Sequence, residues 1–148
     1  MKRLALTLSG LAIVPLIAPD AGAQSDQAKI DEALSAAPPQ LRDEVTVRDL
    51  DGQLLREGED SFTCMPGPDA FAGPMCLDAA WMGWFEAYAN QQDFTPETIG
   101  IAYMLAGDAP DGGASNIEPY AEGPTATNDW VVEGPHVMII VPDDAILE

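Results

Sequence analysis

The residue pattern predicts an α+β fold: a small antiparallel or mixed sheet of about four strands, with one or two helices packed against one face and long surface loops. Three observations point there. Two short β-type segments flank Asp51-Gly52, two apolar runs of strand length lie at 99–105 and 137–141, and a helical apolar stripe occupies 79–91.

Taken in order, Met1 to Ala23 has the parts of a secretory signal peptide. Lys2 and Arg3 precede the apolar stretch Leu4 to Ile17, and Ala21 and Ala23 flank Gly22 just before Gln24. The apolar stretch is shorter than a membrane-crossing helix requires, and Pro15 interrupts it. No Cys follows it as a lipid attachment point, and no twin-Arg pair precedes it. Cleavage after Ala23 is expected, leaving residues 24–148 as a single acidic extracytoplasmic domain, periplasmic or secreted.

Ser25 or Asp26 can cap a short helix in which Ile30, Ala33, Leu34 and Ala37 share one side, and Pro38-Pro39 ends it. Glu44 to Leu50 and Gln53 to Glu57 then read as a hairpin around Asp51-Gly52. Its alternation is imperfect, since no simple register puts Val45, Val47, Leu50, Leu54 and Leu55 on one face. Asp49-Leu50-Asp51-Gly52 lacks the ligand spacing and flanking helices of a calcium loop, so a plain turn is expected.

Cys64 and Cys76 are the only cysteines. An even count in an exported chain favours a disulfide closing the Pro- and Gly-rich stretch between them. A thiol metal site or redox pair would call for a C-x-x-C spacing or a nearby His, and neither is there. After them, Asp78 is placed to cap a helix running to about Gln91, with Leu77 and Met82 spaced as a hydrophobic staple. Trp81, Trp84, Phe85 and Tyr88 follow helical spacing and share one face. That face has two readings, an aromatic platform for a sugar, a peptide or a quaternary amine and a contribution to the core; a domain this small needs the apolar area, which favours the core.

Ile99 to Leu105 alternates large side chains with Gly100 and Ala102, so one side admits a closely packed neighbour. Val137 to Val141, bracketed by Pro135 and Pro142, is apolar on both faces and reads as a central strand. Between these strands, Gly107 to Asn128 reads as a long irregular surface loop. It and the loop between Cys64 and Cys76 are candidate contact surfaces.

The chain carries six basic and 25 acidic residues. Without residues 1–23, the basic ones are Lys29, Arg42, Arg48 and Arg56, so nothing after Arg56 is positively charged except through His136. Nucleic acid and anionic membrane surfaces are excluded as partners, because both are bound by clustered cations. The 47% apolar content and three Trp argue for a packed core rather than disorder.

Candidate chemistry is sparse. His136 is the only histidine, so any imidazole-dependent reaction must use it. Ser115 and Asn116, in Gly112-Gly-Ala-Ser-Asn116, are candidate binding residues with His136. The segment is not a nucleophile elbow. His136 and Met138 project to one face of a strand and could join Met65, Met75 or Met104 in a soft copper site. Met also fills core gaps, which is the plainer reading.

Several segments together resemble a group of small exported bacterial proteins without an established activity. They are Arg56-Glu-Gly-Glu-Asp-Ser-Phe-Thr-Cys-Met-Pro66, Pro74-Met-Cys-Leu-Asp78 with the Trp81/Trp84 helix, Ile99-Gly-Ile-Ala-Tyr-Met-Leu105, Ala114-Ser-Asn116 and Gly134-Pro-His-Val-Met-Ile-Ile-Val-Pro142. The resemblance implies no catalytic residue and no cofactor. The expectation is a monomeric, non-catalytic binding or interaction module for a ligand or protein partner. The alternative is a small hydrolase or a copper-type protein centred on His136.

Overall fold

The computed structural model describes residues 21–68, 73–115 and 117–142. Residues 1–20 of the predicted signal peptide, and the candidate Asn116, lie outside them. Helix α1, Ala21–Ser35, begins before the predicted cap and runs through Ser25 and Asp26. Turn bonds from Ala36 N to Ala33 O and from Ala37 N to Leu34 O close it just before Pro38-Pro39. Ala33, Ala36 and Ala37 are fully buried, so the small side chains let this end of the helix and the turn after it lie close against the sheet.

Strands β1 (Thr46–Arg48) and β2 (Leu54–Arg56) form the predicted hairpin. Gly52 N donates to Asp49 O at 2.9 Å, Asp49 N donates to Gln53 O at 2.9 Å, and Gly52 has φ +86°. This is a three-residue turn with glycine in the left-handed region, where other residues are strained. The pairing shifts register between Val47 and Arg48, which accounts for the imperfect alternation.

Two strands of three residues follow, β3 (Thr63–Met65) and β4 (Met75–Leu77), with α2 (Ala79–Ala89) directly after. Then come β5 (Gly100–Met104), the two-residue strands β6 (Ala114–Ser115) and β7 (Trp130–Val131), and β8 (His136–Ile140). The main sheet has the order β2-β1-β3-β4-β5-β8, and β6 and β7 pair separately. It is mixed, with β1 parallel to β3 and the other neighbours antiparallel.

The predicted α+β class holds, but three expectations are corrected. The sheet has six strands plus a separate pair, not about four. The added strands beside the cysteines are three residues long, too short to show a period, and they exist through their partners. The helices lie on opposite faces. Cys64, Cys76 and Tyr103 join the α1 core with Val45 and Val47, whereas Met65, Met75, Leu77, Ala102 and Met104 join the α2 core. Residues adjacent along β3, β4 and β5 thus enter different cores, as the pleat requires. Finally, β8 is an edge strand rather than a central one. Met138 and Ile140 pack toward α2, while Val137 (50% exposed) and Ile139 (65% exposed) point outward.

Cys64 and Cys76 stand directly opposite each other in the β3–β4 pair at disulfide distance. Among the described residues, no helix is long and apolar enough to cross a membrane.

A cavity beneath the aromatic face of the second helix

Asp78 sets the position of α2. Its carboxylate accepts from Trp81 N at 3.0 Å, capping the helix, and from Ile101 N at 2.6 Å, tying the cap to β5. Gly100 allows the close approach: a Cβ there would lie 2.7 Å from the Ala80 Cβ and 2.7 Å from a methyl of Ile140. The helix ends at Asn90 and Gln91, the latter at φ +52°.

So placed, α2 hangs its aromatic side chains over the sheet. Trp81 and Trp84 meet edge to face with centroids 5.2 Å apart, Trp84 stacks on Tyr88 at 5.1 Å, and Tyr88 stacks on Tyr120 at 5.1 Å. The Tyr88 hydroxyl donates to Pro119 O at 2.8 Å. Burial, and secondarily Tyr120 beside it, push the Tyr88 phenol above its ordinary range, so it is a neutral donor at physiological pH.

The segment predicted as an irregular loop is ordered by its own polar side chains. Asn128 is fully buried; its Oδ1 accepts from Thr125 N at 2.9 Å and its Nδ2 donates to Gly123 O at 2.8 Å. The Ser115 hydroxyl donates to Asn128 O and accepts from Glu118 N at 2.8 Å and Ile117 N at 3.2 Å. Trp130 Nε1 donates to Gly112 O at 3.1 Å. Gly113, at φ +117°, has no room for a Cβ, which would lie 2.3 Å from Val131 O. The base of the segment is closed by Asp108 N donating to Glu133 O at 2.9 Å and Glu133 N donating to Asp108 Oδ2 at 2.7 Å.

Between this segment, α2 and the sheet lies a cavity of about 360 Å³. Trp81, Trp84, Phe85 and Tyr88 line it from the helix, Met75, Leu77, Met104 and Met138 from the sheet. Its polar margin includes Asp108, Ser115, Glu133 and His136. The size suits a small organic molecule. Trp81 is 9% exposed, and its indole N–H finds no acceptor among the described residues.

The structure therefore brings together most of the residues singled out from sequence. The aromatic face contributes to the core, Trp81 being buried with Trp84 and Phe85 packed against it, and the same rings line the cavity. Ser115 and His136 line one space but do not form a nucleophile–base pair. The Ser115 proton is committed to Asn128 O, and His136 Nδ1 is 2.8 Å from Gly134 O. A carbonyl only accepts, so Nδ1 carries the proton and Nε2 keeps its lone pair in the neutral ring. Glu133 Oε2 lies 3.7 Å from the same Nδ1. Met75, Met104 and Met138 line the cavity with His136, whereas Met65 packs beside Met75 in the core. No group of three His, Cys, Asp or Glu side chains among the described residues is placed to hold a metal ion.

Sequence reasoning missed Asp108, Glu133 and Tyr120. The two acids are ordinary members of an acidic chain until β7 returns Glu133 to Asp108, and Tyr120 has no periodic neighbour to mark it. No family model, curated protein or solved structure matches the chain.

Proposed function

We propose that this protein is a non-catalytic extracytoplasmic binding module that takes a small, largely apolar ligand into the cavity beneath α2. The observation that carries the reading is the aromatic-walled cavity itself, lined mainly by rings and by Met and Leu side chains and of a size for a small organic molecule. The rings supply contact area, and the stacked Trp84–Tyr88–Tyr120 series holds them in place before the ligand arrives. Ser115 acts on the protein side of this site, holding the segment from 115 to 128 in shape rather than attacking a ligand. The export address of residues 1–23 and the Cys64/Cys76 pair support the extracytoplasmic placement.

The test is a titration of tryptophan fluorescence with a neutral aromatic probe such as N-phenyl-1-naphthylamine. Saturable binding at one site per chain is expected, weakened about tenfold or more by Trp84→Ala, the loss expected when an aromatic anchor is removed. Circular dichroism verifies that the variant is folded. Non-saturable binding, or equal binding by the folded variant, would refute the proposal.

A further inference from the structure

We infer that the floor of the cavity is a site for a soft monovalent cation, Cu(I), held by the thioethers of Met104 and Met138 and by Nε2 of His136. The inference extends the binding-module reading, because it uses the same cavity, but the two can fail separately.

Register brings these residues together. Met104 on β5 pairs directly with His136 on β8, and Met138 is two residues further along β8 on the same face. Directly opposed residues have Cβ atoms about 5 Å apart, and diagonal ones about 7–8 Å. Side chains of that reach can converge on one ion. Met75, on the far side of β5 from β8, lies about 12 Å from Met138 and is outside the set. The three ligands all line the cavity.

The donor set has a definite chemical preference. Thioether sulfur and neutral imidazole are the ligands of a soft ion, and they suit Cu(I) where carboxylate oxygens would favour hard cations. The hydrogen bond at His136 is of the kind that prepares a metal ligand: Nδ1–H donates to Gly134 O, which orients the ring and leaves Nε2 as the free donor. Electrostatics agree. No Lys or Arg lines the cavity, and the charged groups at its margin are Asp108 and Glu133. A cation entering there meets compensating negative charge.

Two measurements on the full-length protein test this. Cu(I) is titrated anaerobically against a chromogenic Cu(I) chelator, and the methionine methyl resonances are followed by NMR as Ag(I), a redox-inert stand-in, is added. The expected result is one Cu(I) per chain withheld from the chelator, with the Met104 and Met138 methyls shifting and the Met65 methyl unmoved. His136→Gln keeps a donor for Gly134 O but removes the imidazole ligand, and Met104→Leu conserves volume. Each should weaken Cu(I) binding by about 10- to 100-fold or more, at least the scale found when a metal-site partner is lost. Absence of Cu(I) retention in the wild-type protein would overturn the inference. So would retention unchanged in both folded variants, which would place the metal elsewhere. The aromatic-probe titration on the wild-type protein separates the readings: probe binding without Cu(I) retention leaves the cavity reading standing and refutes the metal inference.

Discussion

The carboxylate of Asp78 touches two chain segments, Trp81 N within its own helix turn and Ile101 N on β5, 23 residues further along the chain from Asp78. The first contact is local and follows from Asp before an apolar helical stripe. The second depends on β4 and β5 being neighbours, which no spacing in the chain announces. Asp49 acts similarly at the hairpin. It is bonded to Lys29 of α1, and that bond, then the Leu50 backbone N–H, holds its carboxyl below the ordinary range. Lys29 is raised by the same bond, with burial opposing. A depressed Asp pKa contributes stability that is present above the unfolded value, about 4, and lost as pH falls through the folded value. The raised Lys29 works oppositely, its contribution being lost only as pH rises beyond about 10. Asp49→Asn should therefore lower stability modestly near neutral pH, since both groups are near the surface, and should flatten the fall in stability below about pH 4. Denaturant midpoints from pH 2.5 to 7 measure this; parallel acid limbs in the two proteins would contradict it.

At the scale of elements, β8 shows how a strand's position decides the meaning of its side chains. An apolar pair of faces reads as a central strand, yet β8 has β5 on one side only. Helix α1 lies against β1 to β4 and its core takes in Tyr103 of β5, but Ile101 (38% exposed), Val137 and Ile139 are left on the open side. Ile139→Lys should accordingly change stability by no more than about 0.5 kcal/mol, as surface substitutions do. A loss of several kcal/mol in urea unfolding would show that this face is covered in solution. The hairpin, in contrast, was legible from its turn, because Gly52 at positive φ and the two backbone bonds of Asp49 all lie within five residues.

For the molecule as a whole, the β3–β4 pair is the seam between the two cores. Cys64 and Cys76 are buried on its α1 side, and Met65, Met75 and Leu77 on its α2 side. A crosslink there closes a short loop, worth roughly 3 kcal/mol in the chain-entropy account. Replacing both cysteines by serine should lower unfolding stability by roughly 2–5 kcal/mol. Probe affinity should be preserved under conditions where the variant is folded, since neither Cys lines the cavity. Guanidinium unfolding and the fluorescence titration measure the two quantities; an undiminished unfolding midpoint would count against the bridge.

What the sequence determined by itself was whatever a few consecutive residues decide: the Asp51-Gly52 turn, the Asp78 cap, the one-sided aromatic helix and the small residues at Gly100 and Ala102 that admit it. Each rests on hydrogen bonds or side-chain spacing within about one turn of chain. The tertiary structure alone decided that α1 and α2 take opposite faces, that three-residue segments beside the cysteines become strands, and that Met75, Met104, Met138, Ser115 and His136 border one space with the aromatic rings. Those outcomes depend on pairing register between segments tens of residues apart. A pleated strand sends neighbours to opposite faces, so only its partners decide which side chains share a cavity.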